Sequence, residues 1–61
     1  MISIRKNPNF TKWYQVFAFG KLLEEFERRS KAIRHAKELA VCHNQKVINV
    51  EGLAQEVRNG R

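Results

Sequence analysis

The chain has 61 residues, of which 43% are hydrophobic, enough for one small folded domain rather than a disordered segment. Twelve Lys and Arg residues against six acidic residues give a net charge of +6. This surplus either favours a polyanionic partner such as nucleic acid or simply keeps a small protein in solution. A single cysteine excludes an internal disulfide, and neither a membrane-spanning apolar run nor a leader pattern is visible. We therefore expect a cytoplasmic protein with no membrane partner.

Three strands open the predicted fold. Residues 2–6 alternate apolar and polar side chains, which is typical of a half-buried strand, and Pro8 inside an Asn-Pro-Asn turn ends it. The apolar stretch 12–19 predicts the second strand. A two-residue hairpin loop at 20–21, with glycine in the position that requires positive φ, then leads into a third strand over 22–27.

The register of this hairpin separates two faces of the predicted sheet. Trp13, Phe17 and Phe19 fall on one face, and because they carry the most bulk we expect that face to form the core. The other face is expected to be open to water and to expose Tyr14 near Arg5. On this interpretation Tyr14 is the ring available to stack a base, whereas the other rings fill the space beneath a helix.

A helix and a fourth strand follow. Ser30 is a good N-cap residue, and apolar residues recur after it at helical spacing as far as His43. Three of these residues are alanines, which allow a helix to lie close to a sheet. Residues 46–50 predict the fourth strand, beside either the first or the third strand. Residues 53–61 are expected to form a loosely ordered tail or a short helical turn.

The predicted fold class is α+β in the order β-β-β-α-β. A small, mainly antiparallel sheet of three to four strands carries one helix on one face. Residues 1–52 form its single domain, since no internal repeat or low-complexity tract divides the chain.

The residue types of an enzyme or a metal site lack the spacing that either requires. Cys42 and His43 are neighbours and point about 100° apart on a helix, and His35 is two turns away from Cys42. We interpret Cys42 as a small buried thiol and His43 as a residue at the helix end. No glycine-rich phosphate loop is present, so we expect a non-enzymatic protein without catalytic, metal-binding or cofactor-binding residues and without a small-molecule substrate.

Basic residues are unevenly distributed along the chain. Residues 1–23 contain no acidic residue, three glutamates follow within 24–27, and a second basic segment begins at Arg28. The second segment is either a solvated helix face or a set of phosphate contacts. The candidate nucleic-acid-binding residues are Arg5, Lys6, Lys12, Tyr14, Lys21, Arg28, Arg29, Lys31, Arg34 and Lys37.

Two resemblances bear on the fold and on the partner. Residues 12–52 resemble a class of small bacterial domains without assigned function, through Trp13, Gly20, Phe26, Ser30, Ala32 and the segments 36–40 and 47–50. More distantly, the chain is similar to the arm-type DNA-binding domains of phage and transposon integrases, which place three antiparallel strands in the major groove. That similarity implies DNA contact from the open sheet face, through Ser3, Arg5, Tyr14 and the turns near Lys12 and Lys21.

The sequence therefore predicts a small basic accessory protein of unknown role, for which two specific functions are considered. The first is a nucleic-acid-binding module, with DNA as the preferred ligand, in a bacterial or phage protein. The second is a protein-interaction or homodimerisation module that uses the open sheet face. This second hypothesis rests on Tyr14, Val16, Ala18 and Leu23 being exposed together on that face.

Overall fold

The structure is a computed structural model that describes residues 2–57. A five-stranded mixed sheet packs against one helix. The elements are β1 (Ile2–Lys6), β2 (Tyr14–Ala18), β3 (Lys21–Phe26), α1 (Arg29–Cys42), β4 (Val47–Val50) and β5 (Leu53–Glu56). The strand order is β3-β2-β1-β4-β5, in which β1 and β4 are parallel and the other neighbours antiparallel. The predicted α+β class with one helix on the sheet is confirmed.

The sheet has five strands rather than the three or four predicted. Residues 53–56, expected to be a loose tail or a helical turn, pair with β4 as an edge strand, so the sheet extends past residue 52. Leu-Ala-Gln-Glu has helical rather than strand propensity, and the pairing with β4 overrides it. The hairpin turn consists of Glu51 and Gly52, both at positive φ. The remainder of the predicted tail, 58–61, lies outside the described residues.

Strand β4 lies beside β1, one of the two placements that the sequence left open. Ser3 pairs with Asn49 and Ile4 with Val50, and the Glu51 N–H donates to the Ile4 carbonyl at 2.8 Å. This pairing brings two strands rich in β-branched residues to the centre of the sheet.

The core is aliphatic. Ile2 pairs with Ala18 and Ile4 with Val16, so these side chains share the helix side of the sheet. The fully buried side chains are Ile2, Ile4, Val16, Ala18, Ala32, Ala36, Ala40, Ile48 and Val50. The predicted alanine stripe of the helix is therefore confirmed as the surface that packs on the sheet.

The predicted aromatic core is wrong, and the two faces of the second strand are exchanged. Trp13 is 40% exposed and Phe19 57%, while Phe17 is half-buried on the face away from the helix. Tyr14, expected on the open face, is half-buried and packs against the aliphatic core. The prediction compared the size of the side chains on the two faces of the β2–β3 hairpin alone. The buried face is determined by Ile2 and Ile4 of β1, which pair with Ala18 and Val16.

The β2–β3 hairpin turns one residue earlier than predicted. Phe19 and Gly20 occupy the turn with φ values of 54° and 78°, the sign pattern of a type I′ turn, which fits the twist of paired strands. Phe17 pairs with Leu22, and the register shifts between Val16 and Phe17. Because of this shift Glu25 lies opposite Gln15, whereas the register of Phe17 and Leu22 continued without a shift would place it opposite Tyr14.

The predicted N-cap is also wrong. The helix begins at Arg29, and Arg28 occupies the cap position without a side-chain hydrogen bond, so Ser30 lies inside the first turn. The short connection after β3 brings the chain into the helical conformation before the serine is reached. The predicted helix end is confirmed, because His43 is the C-cap residue and its N–H bonds to the Leu39 carbonyl at 3.0 Å.

We predict that Ala36→Leu destabilises the protein strongly, because the added carbons have no space between α1 and the sheet. The expected loss of unfolding free energy is about 1–3 kcal/mol, a large fraction of the stability of a domain of this size. Urea denaturation followed by circular dichroism measures it. The matched control is Ala54→Leu, the same substitution at an exposed position of β5. Equal losses in the two variants would contradict the close packing of α1.

Candidate nucleic-acid interface

Basic residues from separate segments meet at one end of the sheet. Lys6, Tyr14 and Phe26 are paired in a row across β1, β2 and β3, and this row marks the end. The loop 7–13 joins β1 to β2 there, and α1 begins three residues after Phe26. The exposed bases of this region, which we call the basic end, are Lys6, Lys12, Arg28, Arg29 and Lys31.

Among the bases of the basic end, only Arg29 forms an ion pair within residues 2–57. Arg29 Nε lies 3.4 Å from Glu51 Oε2, an exposed contact and the one salt bridge among these residues. Such pairs contribute at most about 1 kcal/mol and are screened by salt. The first turn of α1 contains no acidic residue, so the basic side chains add to the positive potential of the helix dipole.

Two aromatic side chains stand exposed in the loop at the same end. Phe10 is 65% exposed and lies three residues before Trp13, whose N–H donates to the Phe10 carbonyl at 2.9 Å. Asn7 Oδ1 accepts hydrogen bonds from the N–H groups of Asn9 and Phe10, at 2.8 and 3.2 Å. This Asx turn holds the loop backbone from which both rings project.

A polar row crosses the open face next to this loop. Arg5, Gln15 and Glu25 are paired across β1, β2 and β3. The Arg5 guanidinium lies 4.4 Å from the centroid of the Phe17 ring, a cation–π contact. Glu25 Oε2 accepts from Asn7 Nδ2 at 2.8 Å and from Gln15 Nε2 at 3.1 Å. Gln15 Oε1 is buried and has no hydrogen-bond partner among the described residues.

The carboxylate of this row borders a depression. Asn7, Phe10, Trp13 and Glu25 line a shallow, open space of about 240 Å³. Its lining therefore combines two aromatic rings with a carboxylate whose position is fixed by two amide donors.

The structure brings together only part of the predicted site. Arg5 lies on the open face, and Lys21 pairs with Ala18 at the opposite end of β2. Arg34 and Lys37 lie farther along α1. Tyr14 packs against the core, so its prediction as an open-face stacking residue is wrong. The residues of the basic end are gathered as described above.

Sequence reasoning missed the exposed rings and the fixed carboxylate. The strand pattern predicts Trp13 and Phe17 in the core and predicts no role for Phe10. Its position between a turn and a basic residue, outside any predicted strand, was the one signal that could have marked it as exposed.

The interaction-module hypothesis loses three of the four side chains on which it rests. Val16 and Ala18 are buried beneath α1, and Tyr14 is half-buried. Leu22 and Leu23 on the edge strand are exposed. Self-association through the open face therefore stays a prediction, but most of the apolar side chains proposed for it are not on that face.

The residues considered for catalysis or metal binding are dispersed. Cys42 is exposed, so its interpretation as a buried thiol is wrong; the alanine stripe does not include its position. His35 contacts Phe26 with ring centroids 5.2 Å apart, and His43 contacts Phe19 at 5.1 Å. Within residues 2–57 no group of three His, Cys, Asp or Glu side chains is placed to hold a metal ion. The helix in this part of the chain is too short to cross a membrane.

Comparison with protein-family models, with curated proteins and with solved structures returned no match for this chain. The resemblances to small bacterial domains and to integrase arm domains therefore stay predictions.

We predict that Asn7→Ala destabilises the protein by about 1–3 kcal/mol, because it removes two turn hydrogen bonds and one charge-assisted bond to Glu25. Urea denaturation measures the change. Asn9→Ala, in the same loop, is the control, since Asn9 takes part in the turn through its backbone N–H and should lose less than about 0.5 kcal/mol. Indistinguishable midpoints for the two variants would refute the anchoring role of Asn7.

Proposed function

We propose that this protein is a nucleic-acid-binding module that contacts phosphates through its basic end. The observation that carries the proposal is the convergence of Lys6, Lys12 and the first bases of α1, which come from three separate segments of the chain. Several cations within a short distance can neutralise successive phosphates and release their counterions, which is the main source of sequence-independent affinity.

The exposed rings favour a single strand as the ligand. Phe10 and Trp13 lie in the loop that carries Lys12, so aromatic faces and cations adjoin at the basic end. Unpaired bases stack on such rings, whereas the bases of a duplex are already stacked on one another. We therefore propose single-stranded DNA as the preferred ligand, with duplex DNA and RNA as the competing ligands.

Acidic residues at the same end moderate the expected affinity. Glu51 faces Arg29, and Glu25 is engaged by two amide donors. Glu27 lies in the connection between β3 and α1. These carboxylates repel phosphate, so binding should be readily measurable at low salt and fall steeply as salt increases.

The test is fluorescence anisotropy with labelled single-stranded DNA, duplex DNA and RNA across a series of salt concentrations. The informative variant replaces Lys12, Arg28 and Lys31 by glutamine. If each of these residues contacts one phosphate of a single strand, the slope of log K against log salt becomes shallower by about two units. Arg29 is left intact because it is paired with Glu51.

The matched control replaces Lys21, Lys37 and Lys46 by glutamine. It removes the same number of charges, but two of these residues lie at the opposite end of the sheet and Lys37 lies in the second half of α1. Its salt slope should stay near that of the unaltered protein. If the salt slope becomes shallower by the same amount in both variants, binding depends on net charge alone. That result would contradict a localised interface. An absence of binding to all three ligands at low salt would refute the proposal.

A further inference from the structure

The depression beside Glu25 has the features of a site for a cation rather than for an anion. Two aromatic side chains and one carboxylate line it, and the fourth lining residue is Asn7. Ring faces are electronegative and attract cations, and a carboxylate adds a full negative charge. We propose that this depression, which we call the Glu25 pocket, binds a primary alkylammonium group such as the side chain of a lysine.

Hydrogen bonding at the pocket supports a ligand that donates. Glu25 directs Oε2 at two amide N–H groups, and among the described residues its other oxygen, Oε1, accepts none. Gln15, paired with Glu25 across the strands, has a buried Oε1 without a partner. The donors of Arg5, in the same row, lie over the Phe17 ring, so Glu25 Oε1 is left as an acceptor without a donor among the described residues. An ammonium group brings three N–H donors and no acceptor, which matches this acceptor.

The pocket is fixed before any ligand arrives. The carboxylate is held by Asn7 and Gln15, and the Asx turn of Asn7 holds the loop that carries both rings. A carboxylate and a loop backbone that are already ordered lose less entropy on binding. The pocket has a volume of about 240 Å³, which is more than an ammonium group and the methylene groups next to it occupy. Because the pocket is open on one side, the rest of the ligand can lie in solvent.

The positive charge of the protein opposes a cation, and two bases adjoin the pocket: Lys12 precedes Trp13 in the loop, and Arg5 lies in the same row as Glu25. The net charge is +6, and salt at physiological strength screens charges beyond about 8 Å. A ligand inside the pocket is in direct contact with Glu25, where screening is weakest. The site is therefore expected to recognise one ammonium group at short range. It shares Phe10 and Trp13 with the proposed base-stacking surface but not the phosphate contacts of the basic end, and its test uses no nucleic acid.

The experiment is a titration of the full chain with n-butylammonium chloride, followed by the indole N–H resonance of Trp13, the one tryptophan of the chain. 1-Butanol is the neutral comparison because it has the same alkyl chain without the charge. N-acetyl-lysine amide distinguishes a lysine side chain from a free amine as the source of the group. We expect a saturable shift with butylammonium, on the order of millimolar affinity, and binding of butanol roughly tenfold weaker.

Variants assign the effect to the pocket. Glu25→Gln keeps the size of the side chain and removes its charge, so butylammonium should bind about tenfold or more weakly. Glu56→Gln removes the same charge from β5 and should change the affinity less than about twofold. Trp13→Leu, followed by the Asn7 amide resonance, is the second variant in case Glu25→Gln does not fold, and it should also weaken binding.

If N-acetyl-lysine amide binds as tightly as butylammonium, the pocket accepts the ammonium group of a lysine side chain. If butylammonium binds more tightly, the ligand is a free amine. The proposal is overturned by any one of three results: no saturable shift with butylammonium, equal binding of butanol, or equal effects of the Glu25 and Glu56 substitutions.

Discussion

The close approach of α1 to the sheet is the constraint on which the rest of the structure depends. Ala32, Ala36 and Ala40 are all completely buried, and each contributes only a methyl group to the space between the layers. That space is filled by branched aliphatic side chains, the isoleucines and valines of β1, β2 and β4. Side chains of this size pack closely, as in other protein interiors. A phenylalanine or tryptophan ring in the centre would force the helix away from the sheet.

Because the rings are excluded from the centre of the core, they become part of the surface proposed to bind ligands. Trp13 and Phe10 are left in the β1–β2 loop, and Phe17 is left on the open face beneath Arg5. The same loop carries Lys12 and lies near the start of α1, because the β1–β2 connection and the end of β3 are at one end of the sheet. The proposed phosphate contacts and the proposed ammonium site therefore arise from one loop, with the cations exposed around it and Glu25 on the sheet below.

The features that could be predicted from sequence are those that local patterns encode. The first strand has a period of two and the alanine stripe a helical period, and both are present as predicted. The buried face could not be derived within one hairpin, because it depends on the pairing of Ile4 with Val16 and with Val50, which joins distant segments. Strand β5 was hidden for a related reason, since its residues become a strand only through pairing with β4.

The candidate site divides in the same way. The basic residues could be named from sequence, but their meeting at one end depends on the sheet topology. The Glu25 pocket requires the register shift between Val16 and Phe17, which places Glu25 opposite Gln15 and within reach of Asn7. A regular two-residue hairpin without a register shift gives Gln15 and Glu25 other cross-strand partners. The pocket therefore could not be predicted from local sequence patterns.

The most direct test of the exchange of faces is a nuclear Overhauser experiment on the full chain with methyl-labelled alanine, isoleucine and valine. The account predicts cross-peaks from the methyl groups of the buried helix alanines to those of Ile4, Val16 and Ile48, and none to the ring protons of Phe17. Cross-peaks from the Ala36 methyl group to the Phe17 ring, with Val16 showing none to the helix, would contradict it.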